Sequence, residues 1–332
     1  MTNIIAEIGL NHNGSFKKAK KYIVECAKLG VWGVKFQIHN AKYESTLEEK
    51  FRVKISSKYK SRYDYWKKTS FTYAEWKKLF NLCKKKKIKF VISPFSIHTA
   101  SQMEEIGVEY WKIGSGELYN DQLIEFLSKK KRKIIMSSGM SNWLELKNVY
   151  KKLNKNFKNE IIILQCTSMY PCNLDEVGLN VIREIKKKFK CKSGLSDHSG
   201  KIYPSLSVIA NQDDFLEVHV KLNDKSKFPD KSSSLTLEDL DLLQKYNNSM
   251  KLLNKKVNKD RVYRKFNKMR ELFGRSLTLK NNLKKGTILK KEDLILKKPG
   301  TGLGYKNLNF FIGKKLKQNI FHNELLKKKY VI

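Results

Sequence analysis

Two short segments carry the clearest chemical potential in this chain: Gly194-Leu195-Ser196-Asp197-His198, and Glu217-Val218-His219. Each closes a short apolar run, and the second histidine follows the first by 21 positions. One histidine at a strand end can be structural, but two delivered side by side from consecutive strand ends would make a metal site open to substrate. Two lysines add to this picture. Lys35 and Lys112 interrupt apolar runs, where an unpaired ammonium would be costly, so they are expected to bind an anion.

The elements that must position these groups recur along most of the chain. Residues 4–8, 33–37, 89–92, 110–113, 133–136, 161–164, 194–195 and 215–218 read as eight strands. Between them, residues 16–29, 73–84, 98–106, 122–127, 144–153 and 179–189 space their apolar side chains as helices do. Strand and helix alternating eight times within about 250 residues predicts an α/β fold, a (β/α)8 TIM barrel. Barrel enzymes place their chemistry at the carboxyl ends of the strands. Here those ends carry Glu7, Lys35, Gln37, Ser93, Lys112, Ser115, Glu117, Ser137, Ser138, Cys166, Ser168, Tyr170, Ser196, Asp197, His198, Glu217 and His219.

With 332 residues, 40% of them hydrophobic, the chain can bury one large core and still hold a small extra domain. Its apolar runs are far shorter than the ~18 to 20 residues of a membrane span, and a strand begins within a few residues of Met1. A cytoplasmic protein with no membrane partner is therefore expected. The five cysteines, Cys26, Cys83, Cys166, Cys172 and Cys191, lack paired spacing, which argues against a disulfide frame or a zinc ribbon. The formal charge of +37 comes from 69 basic residues, of which only 8 are arginine. They are spread through helix after helix, whereas nucleic-acid binders gather charge on one face and interleave arginine and aromatics. An evenly coated, solvated surface is the expectation, with no specific nucleic-acid partner.

Beyond residue 218 the composition changes. A polar stretch over 223–234 contains Pro229-Asp230, residues 235–253 have helical spacing, and a charged segment reaches Arg270. Short strands and turns follow: 276–279, a Lys285-Gly286 turn, 288–289, the loop Pro299-Gly300-Thr301-Gly302, and 313–316. The expected organisation is a barrel over residues 1–270 and a small, mostly β domain over 271–332. The β portion from Ser276 onward, about 55 to 60 residues, is too small for a large core of its own and must lean on the barrel or on a partner subunit.

With these motifs in order, the chain resembles the sialic acid synthase family, enzymes that condense phosphoenolpyruvate with an N-acylated hexosamine to make nonulosonic acids. The resemblance runs nearly end to end. It rests on Ile5-Ala6-Glu7-Ile8-Gly9 with Asn11-His12 and Gly14, Val34-Lys35-Phe36-Gln37, Ser93-Pro94-Phe95, Lys112-Ile113-Gly114-Ser115-Gly116-Glu117, Ser138-Gly139-Met140, Cys166-Thr167-Ser168 with Tyr170-Pro171, Gly194 to His198, and Pro229-Asp230. The tail, with Lys285-Gly286, Asp293-Leu294 and Lys298-Pro299-Gly300-Thr301-Gly302, is similar to the antifreeze-like (SAF) domain of these synthases.

The resemblance implies that His198 and His219 ligate a divalent metal, usually manganese. It implies phosphoenolpyruvate contacts at Lys35, Lys112, Ser115 and Ser196, with Ser93 and Ser168, and sugar contacts at Glu7, Gln37, Glu117, Tyr170 and Asp230. Glu117 is also the expected proton handler, counted with His198 and His219 as catalytic. Some positions depart from the family pattern: Ser93 replaces a threonine, Gln165 a histidine, Val218 and Val220 a lysine and a phenylalanine, and Phe228 a glycine. Lys298 replaces an arginine that, in the family, reaches the sugar's acyl group from a partner subunit. The implied assembly is a domain-swapped homodimer.

Other residues have plainer readings. Glu7 and Glu117 could instead be strand-end carboxylates bonded to lysines, Asp197 supports the metal shell, and His12 is either a backbone-positioning residue or functional. Cys166 reads as a buried inert thiol, and His39, His98 and His322 as surface residues. N-acetylneuraminate synthesis fits the motifs, with sugars of the legionaminic or pseudaminic type as alternatives. An aldose-phosphate synthase would need an arginine cluster for its second phosphate. A non-catalytic polyanion-binding barrel would account for the charge but not for the lysine, glutamate and histidine set.

Overall fold

The computed structural model describes residues 1–52, 59–222 and 228–332, so residues 223–227 of the expected polar stretch lie outside the described residues. The chain divides into two compact units, Met1–Asn254 and Lys255–Ile332.

The first unit holds all eight expected strands: β1 (Asn3–Gly9), β2 (Gly33–Ile38), β3 (Lys89–Pro94), β4 (Tyr110–Ile113), β5 (Lys133–Ser137), β6 (Glu160–Cys166), β7 (Lys192–Asp197) and β8 (Phe215–Lys221). Neighbours pair in parallel in chain order, and β1 pairs with both β2 and β8, which closes the barrel. A short β9 (Ser234–Thr236) adds in parallel beside β8. Six of the connecting helices are those expected from sequence. Phe16–Leu29 illustrates why they form: Ser15 caps the amino end by accepting from Lys18 N, Ala19, Tyr22, Ile23 and Cys26 share one buried face, and Gly30 ends the helix at φ 73°. The helix Tyr203–Ala210 was not anticipated, because its short sequence is apolar on most sides and carries little periodic signal.

Strand period explains where the chemistry sits. Successive side chains point to opposite faces of a strand. Ile4, Ala6 and Ile8, with Val34, Phe36, Ile92, Met136, Leu195 and Val218, belong to the layer packed under the helices. Ile5, Val91, Ile135, Ile162, Leu164 and Phe215 form a separate cluster inside the barrel, joined by Trp32 and Tyr110. Two positions further along the same strands stand Glu7, Ser93, Ser137, Cys166 and Glu217. The inward row is thus apolar at the amino end and polar at the carboxyl end. Trp32 plugs the amino end, edge-on to Tyr110 at 4.8 Å and to Phe215 at 5.2 Å.

The connection after β2 is long for a barrel. Residues 39–72 contain the short helices Ala41–Glu44 and Arg62–Thr69. With Leu10 from just after β1, this connection builds a separate apolar cluster of Ala41, Tyr65 and Trp66 with Phe51, Tyr59 and Tyr63.

The second unit begins with the helices Lys259–Tyr263 and Asn267–Phe273 and then forms an antiparallel pair, β10 (Ser276–Leu279) with β11 (Leu294–Lys297). Isolated bridges Ile288 to Lys315 and Leu316 to Val331 stand where further short strands were expected. Leu277, Leu279, Leu289, Phe311, Leu316, Ile320 and Leu326 make its core.

Candidate active site

A cavity of about 550 Å³ opens at the carboxyl ends of the barrel strands. Register brings its charged residues together. Glu7 is aligned with Lys35 on one side and His219 on the other, and Ser196 with Glu217. Lys35 Nζ lies 3.2 Å from Glu7 Oε1 and 3.3 Å from Glu217 Oε1, while Lys112 Nζ lies 2.9 Å from Glu217 Oε1. Ser196 Oγ also donates to Glu217 Oε1 at 2.9 Å, and Gln37 Nε2 donates to Glu7 Oε1 at 2.8 Å. All four charged side chains are buried.

Burial sets the baseline for these four charges, and partners decide the rest. Burial lifts the Glu7 carboxyl to about 7, against the pull of Lys35. It acts the same way on Glu217, but there Lys112 and Lys35 outweigh it and hold the carboxyl well below its ordinary range. Lys112 is lowered by burial, whereas for Lys35 burial is outweighed by Glu217 and Glu7 and the ammonium is raised. The quartet therefore keeps one firm carboxylate between two ammonium groups. Serine hydroxyls complete the lining. Those of Ser93 and Ser137 are buried with no partner among the described residues, and Ser115 Oγ accepts from Gly139 N at 3.1 Å. A Cβ at position 139 would stand 2.5 Å from Ser168 Oγ and 2.7 Å from Ser115 Oγ, so a side chain there would displace these lining hydroxyls. A wall of hydroxyls and ammonium groups around free volume suits a compact phosphate- and carboxylate-bearing anion.

The two histidines stand together at the same opening, ring centroids 5.4 Å apart. His198 Nδ1 donates to Thr167 O at 2.9 Å, which leaves Nε2 with the free lone pair. His219 is buried, its Nδ1 has no hydrogen-bond partner among the described residues, and burial lowers it to about 4, so the ring is neutral near neutral pH. A neutral, unpartnered imidazole beside one whose other nitrogen is pinned by a carbonyl fits a metal with two protein ligands and open positions. No group of three or more His, Cys, Asp or Glu that could hold a metal is found among the described residues.

Asp230 Oδ2 lies 3.8 Å from His219 Nδ1, and Asp230 Oδ1 accepts from Arg52 Nη2 at 2.5 Å. The Arg52 guanidinium sits 4.0 Å from the Tyr170 ring centroid, and Tyr170 in turn stacks on His198 at 4.1 Å. The outer wall is aromatic, with His39 stacked between Trp66 at 3.9 Å and Phe95 at 4.2 Å.

Glu7, Lys35, Gln37, Ser93, Lys112, Ser115, Ser168, Tyr170, Ser196, His198, His219 and Asp230 all line the cavity. Glu117 is not among the lining residues; it is half-buried, accepts from Asn120 Nδ2 at 2.9 Å, and is raised by burial. Lys298 belongs to the second unit, its ammonium 5.1 Å from the Phe273 ring centroid. Asp197 is occupied by the backbone and hydroxyl of Ser199, at 2.9 and 3.1 Å. His12 is not among the lining residues; it is buried against Phe71 and accepts from Gly14 N at 3.1 Å. His39 is not a surface residue but buried in its ring stack, with Nδ1 2.8 Å from Glu44 Oε1. Cys166 is buried as expected, yet His198 Nδ1 from the next strand approaches its sulfur at 3.8 Å. Burial alone would raise that thiol, but His198 draws it down to about 7. The reading from sequence placed Glu217 and Ser137 at strand ends without assigning either a contact, and did not single out Arg52 or Tyr65. For Glu217 the signal was there, since it shares the inward row with His219.

Residues 22–258 match the NeuB family and residues 274–331 the SAF domain. The chain is 31% identical to the N,N'-diacetyllegionaminic acid synthase of Campylobacter jejuni, covering 98% of this chain and 99% of that protein. It is 32% identical to the human N-acetylneuraminate-9-phosphate synthase over 94% and 88%. The crystal structure of the N-acetylneuraminic acid synthetase from Leptospira borgpetersenii, in complex with citrate, superposes with a TM-score of 0.68 at 27% identity, over 81% of this chain and 92% of that one. The chain belongs to the NeuB family, as a TIM barrel followed by a SAF domain.

Proposed function

We propose that this protein condenses phosphoenolpyruvate with an N-acylated hexosamine to give a nonulosonic acid and inorganic phosphate. The observation that carries this reading is the buried quartet Glu7, Lys35, Lys112 and Glu217 beside two clustered histidines in one cavity. In the reaction, a carbon–carbon bond forms between C3 of phosphoenolpyruvate and the sugar's aldehyde carbon, whose oxygen takes up a proton. The oxygen of one water bonds to C2, and the C2–O bond to phosphate breaks.

The chain's own residues bind and orient. Lys35 and Lys112 hold the phosphate and carboxylate, with Ser93, Ser115, Ser137, Ser168 and Ser196 supplying hydroxyls, so that C3 is fixed facing the acceptor. Glu217 positions both ammonium groups. Gln37, Tyr170 and Asp230 bind sugar hydroxyls. Glu7, buried and lining the cavity, hands a proton to the oxygen formed from the aldehyde, and Glu117, also raised by burial, is the second candidate for that proton. His198 and His219 would hold a divalent ion, manganese, which when bound polarises the aldehyde. We further propose that the working form is a homodimer in which the loop at Lys298 reaches the partner's sugar site.

The test is phosphate release from phosphoenolpyruvate with N-acetylmannosamine and two diacetamido-trideoxyhexoses, in chelated protein and after adding Mn²⁺, with products weighed by mass spectrometry. Carried out in ¹⁸O-water, the reaction should leave the released phosphate unlabelled. Labelled phosphate, or full activity in the chelated protein, would overturn the scheme. Glu7→Gln and Glu117→Gln, compared under single turnover, separate the two proton candidates.

A further inference from the structure

A series of four side chains joins the start of the long connection after β2 to the cavity. Asn40 caps the helix Ala41–Glu44 by accepting from Lys42 N, and that single turn brings Glu44 back beside His39, the residue that follows β2. His39 Nδ1 lies 2.8 Å from Glu44 Oε1, and His39 Nε2 lies 3.3 Å from Gln37 Oε1. Gln37 Nε2 in turn donates to Glu7 Oε1 at 2.8 Å. Glu7, Gln37 and His39 line the cavity, whereas Glu44 stands behind them.

Counting donors and acceptors fixes the direction of every bond in the series. Lys35 Nζ also approaches Glu7 Oε1, at 3.2 Å, so this oxygen accepts. Gln37 must therefore turn its nitrogen to Glu7 and its oxygen to His39. Nε2 of His39 then donates to that oxygen, and Nδ1 donates to the Glu44 carboxylate. A ring that donates from both nitrogens is cationic, and Glu44 is its counterion. Glu44 Oε2 is buried with no hydrogen-bond partner among the described residues, which leaves His39 to compensate the buried carboxylate. The ring plane is held too, stacked on Trp66 at 3.9 Å and 9° and on Phe95 at 4.2 Å and 20°. Its Nε2 donor thus has one direction, and the Gln37 amide is anchored at both ends. With the Glu7 bond alone, the amide would be free to pivot about its nitrogen.

We propose that His39, held by Glu44 and by its ring stack, is a positioning residue that locks the Gln37 amide before the acceptor sugar binds. Ordering a side chain of this kind at the moment of binding would cost affinity for the sugar, and the anchored amide avoids that cost. This inference rests on the synthase reading above, in which Gln37 touches the sugar while Lys35 and Lys112 hold phosphoenolpyruvate. Loss of His39 should accordingly be felt by one substrate and not by the other.

The experiment measures phosphate release from phosphoenolpyruvate in the presence of Mn²⁺, with whichever of N-acetylmannosamine and the two diacetamido-trideoxyhexoses the wild type uses best. Full-length wild type, His39→Phe, Gln37→Ala and the double variant are compared. Phenylalanine keeps a ring between Trp66 and Phe95 but removes both N–H donors. His39→Phe should raise KM for the sugar about five- to tenfold and change kcat and KM for phosphoenolpyruvate by no more than about twofold. In the Gln37→Ala background the same substitution should cost no more than about twofold, because the residue it acts through is gone. If the uncompensated Glu44 keeps His39→Phe from folding, His39→Phe combined with Glu44→Leu removes both partners together and takes its place in the cycle. Losses that multiply in the double variant, an equal rise in both KM values, or an unchanged KM for the sugar would overturn the positioning role and leave the synthase reading intact. No phosphate release by the wild type with any of the three sugars would overturn both.

Discussion

Glu217 Oε1 lies 2.9 Å from Lys112 Nζ and 3.3 Å from Lys35 Nζ, so one buried carboxylate is shared by two ammonium groups on different strands. The arrangement stores cationic capacity in a place where isolated lysines would not stay charged. Without a carboxylate, desolvation would favour the neutral amines, and the site would lose its attraction for a dianion. Glu217 is thus a condition for the anion site, although like charge keeps it from bonding the anion itself.

Replacing Glu217 by glutamine should therefore expose the lysines to the full cost of burial. Breaking a buried ion pair costs about 3–5 kcal/mol, so the urea midpoint should fall. Added phosphate should restore part of the loss and stabilise the variant more than the wild type, because the anion takes over the missing countercharge. An equal phosphate effect on both proteins would show that the lysines do not face the anion site.

Much of this arrangement was legible in the sequence, because a barrel strand signals both its face and its carboxyl end. Ile5 and Glu7, or Val91 and Ser93, are two positions apart, and that spacing already puts the polar member at the mouth. What stayed hidden was contact across the chain. His39 reads as a surface residue because residues 39–72 carry no sustained period, and only the fold brings Trp66 and Phe95 against its two faces. Cys166 and His198 belong to different motifs and meet only because β6 lies beside β7. Glu217 could be placed at a strand end, but that two lysines share it follows only from closure of the barrel.

The pairing of β7 with β8 leaves no room at Gly194. A Cβ added there would stand 1.7 Å from the Phe215 carbonyl oxygen, its backbone partner in the neighbouring strand. Gly194→Ala should force the strands apart and destabilise the protein by about 3 kcal/mol or more. It should also separate Ser196 and His198 from Glu217 and His219. Denaturation midpoints and Mn²⁺ titration calorimetry check both effects, and an unshifted midpoint would contradict the close approach.

His12 should give the fold a measurable pH dependence. Burial lowers it from 6.5 to about 3, so the unfolded chain takes up a proton in this range that the folded chain refuses. Its stabilising contribution is complete above pH 6.5 and is lost as pH falls toward 3, at about 1.4 kcal/mol per pH unit. Glu7 works in the opposite sense, since a carboxyl raised from 4.5 to about 7 favours the folded state below 4.5 and loses that effect as pH rises through 7. Subtracting the profile of His12→Asn from that of the wild type isolates the histidine. The wild type's stability minus the variant's should fall by about 1.4 kcal/mol per unit as pH drops from 6.5 to 5, and a flat difference would mean that the ring takes up its proton as readily in the folded protein as in the unfolded chain.

The proposed exchange of the Lys298 loop between subunits rests on two features of the second unit. The loop is braced at its base, where Ser276 Oγ donates to Pro299 O at 2.7 Å and accepts from Gly302 N at 2.8 Å, so it can present Lys298 at a fixed place. The preceding segment leaves Tyr263, Phe266, Met269, Leu272 and Phe273 exposed, an apolar series that a second copy would cover. Light scattering should report a dimer. Full-length His198→Ala and Lys298→Ala proteins should each be impaired, the first in metal binding and the second in affinity for the sugar. After subunit exchange, the hybrid joins an intact barrel from the Lys298→Ala subunit to an intact loop from the His198→Ala subunit. The mixture should then exceed both parents in activity at low sugar concentration. If exchange is confirmed by mass-tagged subunits and activity stays at the average of the parents, the loop serves its own barrel and the swapped arrangement is wrong.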